Sequence, residues 1–262
     1  MGKAVAERKS TEVSTDVIDF TQDQGVGVSD MSAKDVAIPF LVILQKGSPQ
    51  IDIDHPDHAQ YADLDAKTGQ LYNTVTGEVY DQVDVVNCGF ASALVEWKPR
   101  DSGGGFVGQH PDNPEVLRGA TRNEKNQDVL PNGNIIVPTH YHYCLILDGD
   151  DVQQCVVSMT STQLKKSRQW NSKIIAFKME ANGKLITPAR FASRWSLATV
   201  AEKNDRGSWR GWKIDRIGLV EDAAIYAMAR EFHNLIKKGL VQVTPPTGTD
   251  SVETAGGSEV PY

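Results

Sequence analysis

The sequence predicts a mainly β protein with helices, an α+β chain built on a small five-stranded barrel with a long insertion and a C-terminal helix. Three observations predict it. Five runs are rich in β-branched and aromatic residues: Val83–Trp97, Asn134–Leu147, Val152–Met159, Arg190–Val200 and Gly211–Val220. Such runs, bounded by turn residues, read as strands. Asp148-Gly149-Asp150-Asp151 separates the second run from the third. Asp-Gly tolerates the positive φ of a tight hairpin turn. After the fifth run, Ile225, Met228, Ala229, Phe232, Leu235 and Ile236 recur at the spacing of one helical face.

In chain order, residues 1–34 are polar and of mixed charge and read as a loose N-terminal arm. Residues 35–82 form an N-terminal extension that opens on the apolar run Ala37–Leu44. Within it Thr68-Gly69-Gln70-Leu71-Tyr72-Asn73 is echoed by Thr76-Gly77-Glu78-Val79-Tyr80-Asp81, which predicts a small β-meander. Residues 98–133 interrupt the first two runs. They hold Ser102-Gly103-Gly104-Gly105, four prolines and few apolar groups, and read as a long loop. Ser161–Met179 is a helix candidate with Ser161 or Thr162 as its cap. Its expected inner face is Leu164, Asn171, Ile174, Ile175 and Met179. The fourth and fifth runs are joined by Ala201–Arg210, in which Asn204-Asp205-Arg206-Gly207 is turn chemistry. Glu221–Lys238 is the C-terminal helix, with acids at its N-terminal end and Gly239 as its stop. Leu240–Val243 could add a short edge strand. Residues 244–262 form an acidic tail without Lys or Arg, expected to be disordered.

Composition narrows the function. The 262 residues are 40% hydrophobic and 23% charged, an ordinary globular balance. Cys88, Cys144 and Cys155 are too few and too irregular for a disulfide framework, so reduced thiols in a cytoplasmic setting are expected. No apolar leader opens the chain, the myristoylation pattern fails at Ala6, and no run is long enough to span a bilayer. His140, His142 and Cys144 share a strand face, and Cys155 lies on the expected partner strand. No CxxC or HxxxH accompanies them, so no metal is expected. No P-loop, Ser-His-Asp, HExxH or dinucleotide signature is present, and the expectation is a non-enzymatic protein without cofactor.

The charge is unevenly spread. Ser161–Val220 holds thirteen Lys/Arg against four acids, a balance of +9 in a chain of net charge −7. It also holds four of the five tryptophans, Trp170, Trp195, Trp209 and Trp212. Cations that neutralise phosphates and flat rings that stack on unpaired bases are what a single strand requires. The order strand, long loop, strand, hairpin, strand, helix, strand, hairpin, strand over residues 83–243 is that of an OB-fold. That fold binds oligonucleotides on its second and third strands and on the loops after its first and fourth. Lys165, Lys166, Arg190, Arg194, Lys203, Arg206 and Arg210 are the candidate phosphate contacts. Trp97, Trp170, Trp209 and Trp212 are the candidate stacking residues, with Trp209 foremost because a turn position favours exposure.

The chain ends Ser258-Glu259-Val260-Pro261-Tyr262. This tip resembles that of bacterial single-stranded DNA-binding proteins, although it has one adjacent acid instead of a cluster and Tyr instead of Phe. More broadly, residues 83–220 with an acidic tail are similar to phage-type single-stranded DNA-binding proteins. The resemblance implies sequence-nonspecific binding of single-stranded DNA in phage replication or recombination. It also implies docking of replication and repair proteins on Glu259, Val260, Pro261 and Tyr262. Self-association is left open. The rival expectations are a viral structural or assembly protein with a β-barrel body and, below it, a metal-dependent nuclease using Asp148, Asp150 and Asp151.

Overall fold

The computed structural model describes residue 22 and residues 26–27, 37–149, 151–205, 207–241 and 243. Most of the expected arm, all of the tail, Asp150, Arg206 and the tip residues Glu259–Tyr262 lie outside the described residues. The chain is mainly β with two helices. A three-stranded sheet joins β1 (Leu41–Ile43), β2 (Leu71–Asn73) and β3 (Val79–Tyr80). The main antiparallel sheet contains β4 (Gln82–Trp97), β5 (Phe106–Pro111), β6 (Thr121–Arg122), β7 (Asp128–Val129), β8 (Ile135–Asp148) and β9 (Asp151–Thr160), followed later by β12 (Ser193–Asn204) and β13 (Gly207–Leu219). Between them come α1 (Gln163–Ala176) and a hairpin of β10 (Met179–Ala181) and β11 (Lys184–Ile186). α2 (Ala223–Lys237) follows β13.

β4 organises the sheet. One of its edges pairs with β8 along almost its whole length. The other is shared: Gln82–Val86 pairs with β12, and Ala93–Trp97 pairs with β5. A bulge between Asn87 and Gly89 falls where the partner changes. Bulges bend a strand and increase its twist, so the sheet curls into a half-barrel. The bulge also seats α2. A Cβ at Gly89 would come within 2.9 Å of Ile236 Cδ1, and His233 Nδ1 donates to the Cys88 carbonyl at 2.7 Å.

Period-two alternation gives the sheet two apolar faces. Val137, Tyr141, Tyr143 and Leu145 of β8 join Val86, Val95 and Trp97 of β4 beneath Ala229 and Phe232 of α2. The opposite face carries Cys144 and Ile146 of β8, Val85 of β4, and Trp195, Leu197, Trp212 and Ile214 of the β12–β13 hairpin. There Trp170 of α1 and Leu41 of β1 complete the core.

The free edge of β13 is covered by side chains instead of a strand. The Gln45 amide donates to the Arg210 carbonyl at 2.8 Å and accepts from its N–H at 2.9 Å. Gln163 Oε1 accepts from the Trp212 N–H, Lys166 Nζ donates to the Trp212 carbonyl, and Lys173 Nζ donates to that of Ile214. On the far side Phe40 bridges Val156 of β9 in parallel. Residues 37–45 and α1 therefore bridge the curled sheet between β9 and β13.

Several expectations need correction. The insertion 98–133 is not a plain loop. It carries β5, β6 and β7 and two 3-10 turns, because its short polar runs hydrogen-bond to the edges of β4 and β8. The inner face of α1 is Ser167 and Trp170, with Ile174 beside them, whereas Ile175 is 66% exposed. Thr162 already has helical dihedrals and its side chain caps nothing. Arg190–Ala192 is a 3-10 turn, and its strand begins at Ser193. The β12–β13 strands run to Asn204 and from Gly207, so Trp209 and Arg210 sit on a strand and not in a turn. Leu240, Val241 and Val243 form no strand. The Asn182-Gly183 turn of the β10–β11 hairpin, with φ of 51° and 70°, is an unread hairpin signal. Among the described residues no helix is long and apolar enough to cross a membrane.

Candidate nucleic-acid interface

The candidate cations divide by what already holds them. At the β12–β13 hairpin, Glu202 gathers three donors: Lys166 Nζ at 2.7 Å, Gln163 Nε2 at 3.1 Å and Trp209 Nε1 at 2.8 Å. Burial alone would raise its carboxyl pKa, but the Lys166 and Gln163 donors and the Trp209 N–H hold it below the usual value. Gly211, two residues beyond Trp209, the β13 partner of Glu202, leaves the room. A Cβ there would fall 2.1 Å from Glu202 Oε2. Lys166 is thus a tie between α1 and the hairpin, not a free phosphate contact. Arg194 is paired with Asp84 at 2.8 Å. Arg210 lies across the turn at Gly69, where a Cβ would meet its Nε at 2.9 Å.

Three of the four candidate stacking residues offer no face. Trp97 is 4% exposed and meets Phe106 edge-on at 5.8 Å. Trp170 is 1% exposed, stacked on the His142 ring at 4.4 Å and packed against Trp195. Trp212 is 4% exposed in the same core. Rings at helix and strand spacing in an apolar cluster are filling volume, and they cannot take a base without unpacking. Trp209 is half-buried and tethered by its N–H, which leaves part of its ring to solvent. Lys165 and Lys203 are exposed and have no ion-pair partner among the described residues.

A second group, which the sequence reading did not assemble, lies along the β4–β8 pairing just past the β4 bulge. Phe90 and Ser92 of β4 pair with His142 and His140 of β8. The Phe90 ring is 5.1 Å from that of His140 and 5.2 Å from that of His142. The Arg190 guanidinium lies 5.8 Å from the Phe90 ring centroid. It donates to Asn87 Oδ1 at 3.3 Å and to Asn171 Oδ1 at 3.0 Å. No carboxylate among the described residues pairs with it. Burial depresses its pKa, the direction expected of a desolvated cation. Ser167 Oγ of α1 lies 2.7 Å from His140 Nδ1 and 2.8 Å from His142 Nε2. His142 is wholly buried, and burial, with the Arg190 charge, pushes its pKa well below the ordinary histidine range. His140 is half-exposed and depressed by burial and by the Arg168 charge, against an opposing effect of Asp112. Arg168 itself is exposed and without an ion-pair partner among the described residues. The alternation of His140 and His142 on one face was legible; Phe90 and Arg168 carried no signal beyond residue type.

Cys144 and Cys155 are directly opposed and buried, and burial raises both thiol pKa values, which favours the protonated form. Among the described residues no group of three or more His, Cys, Asp or Glu is placed to hold a metal ion. In the insertion, Arg118 pairs with Glu115 and Arg122 with Asp128.

No curated protein and no solved structure matches the chain. The family model of the Pam3 phage gp34-like protein matches residues 8–242. That match spans most of the chain, which therefore belongs to the Pam3 phage gp34-like family of phage proteins.

Proposed function

We propose that this phage protein binds single-stranded DNA with little sequence preference and takes part in phage replication or recombination. The observation that carries the proposal is the charge of Ser161–Val220. Its +9 balance is only partly neutralised inside the fold, leaving Lys165, Arg168 and Lys203 exposed without ion-pair partners among the described residues. Part of the Trp209 ring and the half-exposed Phe90 supply apolar surface in the same curled sheet. The strand pairings support an OB-like reading: β4 pairs with both β8 and β12, β8 continues into β9, and α1 stands between β9 and β12. Recruitment of replication or repair proteins through Glu259, Val260, Pro261 and Tyr262 belongs to the same proposal.

The test is fluorescence anisotropy of a labelled oligo-dT strand titrated with the full chain, with duplex as competitor. Saturable binding that duplex does not displace is the expected result. Absence of retention at low salt overturns it. Trp209→Ala is expected to weaken binding by the equivalent of about 1–3 kcal/mol, the increment of one stacked base. Trp209→Phe keeps a ring but loses the bond to Glu202, and is expected to retain most of the affinity. Equal affinity of Trp209→Ala and the parent chain removes Trp209 from the site.

One observation favours a second reading, a structural or assembly protein. Ile175, Leu185 and Ile217 are 66%, 75% and 46% exposed. This reading predicts a stable oligomer in solution and no strand affinity, so sedimentation velocity beside the titration separates the two.

A further inference from the structure

The polar chain behind Phe90 has a direction. A guanidinium only donates, so the Asn87 oxygen must face Arg190 and the Asn87 amide nitrogen must face His142. His142 Nδ1 is then the acceptor, at 3.0 Å, and the neutral ring carries its proton on Nε2. That proton is donated to Ser167 Oγ. Among the described residues the Ser167 hydroxyl has one acceptor for its own proton, His140 Nδ1. His140 in turn carries its proton on Nε2, which has no partner among the described residues. A fixed cation at one end therefore sets the tautomer at the other, through four directed hydrogen bonds.

We infer that Arg190, His140 and Phe90, with the exposed Arg168 whose charge reaches His140, form a phosphate subsite, with the base of the same nucleotide lying against the Phe90 ring. Its polar groups are donors and cations: the remaining Arg190 N–H groups, the His140 Nε2–H and the Arg168 guanidinium. Asp112 is the carboxylate whose charge reaches His140, where it opposes that of Arg168. Arg190 has no carboxylate partner among the described residues and its surroundings are desolvated, the setting in which a charge-assisted bond to phosphate is strongest. The inference rests on the strand-binding reading for the larger ligand. The same chemistry would also hold a free nucleotide.

The test uses the full chain labelled with nitrogen-15 at histidine. The His140 resonances report the tautomer directly: Nε2–H is expected, and Nδ1–H overturns the inference. Inorganic phosphate, thymidine monophosphate and thymidine are then titrated. The phosphate-bearing probes are expected to shift His140, and thymidine is expected to bind at least about tenfold more weakly than its monophosphate. Equal response to thymidine and its monophosphate overturns the subsite. Arg168→Gln, at an exposed position, and His140→Phe, which keeps a ring and loses the donor, should each weaken the monophosphate about fivefold to tenfold. If oligo-dT binds but neither variant changes its affinity or that of the monophosphate, the strand-binding reading stands and the subsite falls. If oligo-dT does not bind while the monophosphate shifts His140, the subsite stands as a site for a free phosphate-bearing ligand.

Discussion

Glu96 is a carboxylate with 6% of its surface in contact with water. It accepts from Asn134 Nδ2, from Asn132 Nδ2 at 2.9 Å and from His110 Nε2 at 2.7 Å, and so ties β5 and the return of the insertion into β8 to β4. The Asn134 bond, with those of Asn132 and His110, outweighs burial and holds its pKa below the usual carboxylate range. A depressed folded-state pKa adds stability that is present above the unfolded pKa of about 4.3 and is lost as pH falls through the folded value. Glu96→Ala leaves three donors without their acceptor and should cost about 2–4 kcal/mol, read from urea denaturation at neutral pH. Glu96→Gln should flatten the loss of stability as pH falls through the depressed folded-state value, where the parent chain protonates this group. An identical acid limb in the variant would show that Glu96 does not carry that dependence. None of this was legible in the sequence, since Glu96 sits in a strand pattern with nothing to mark it as the acceptor for a loop more than thirty residues away.

At the scale of elements, the contrast between the helices shows what periodicity can convey. α2 was legible because Ile225, Ala229, Phe232 and Ile236 bury an apolar stripe, Asp222 accepts from the Ala224 and Ile225 N–H groups, and Gly239 closes the end with φ of 69°. α1 was legible as a helix but not in its rotation. Its buried stripe includes Ser167, held by two histidines, and Lys166 and Lys173 are turned to the β13 edge by hydrogen bonds that hydropathy does not register. The same physics makes Gln45 and Gly211 sensitive. Gln45→Ala returns one N–H and one C=O of Arg210 to water and should cost about 1–2 kcal/mol, seen as a lower urea midpoint with unchanged slope. Gly211→Ala forces the Glu202 carboxylate away and with it the ties to Lys166 and Trp209. We expect a loss of about 1–3 kcal/mol and a red-shifted Trp209 emission. Parent-like stability and emission would mean that the carboxylate has room elsewhere.

Across the whole molecule the +9 segment is the most durable message of the sequence, while the assignment of its members was only partly legible. Local composition reports that cations are present. Whether Lys166 reaches a phosphate or a carbonyl of β13 depends on a strand forty residues away. Likewise Trp170 and Trp212 read alike as ring and as core, and packing decides for core. Three exposed cations, Lys165, Arg168 and Lys203, set an expectation for salt dependence. With about 0.7 counterions released per phosphate on a single strand, log affinity against log salt should fall with a slope of about −2. A slope near zero would separate any strand affinity from these cations. That measurement belongs to the intact chain, because residues 37–45 and α1 both contribute to the body that presents them.

The side-chain cover of the β13 edge has a consequence in the time domain. The amides of Arg210 and Trp212 are held by Gln45 and Gln163, not by a neighbouring strand. Their exchange with solvent deuterium is therefore a clock for the release of residues 37–45 and of α1. The amides that β12 and β13 share measure a different event, the opening of the sheet itself. Two adjacent clocks on one strand would distinguish a chain that loosens at its seam from one that melts as a unit.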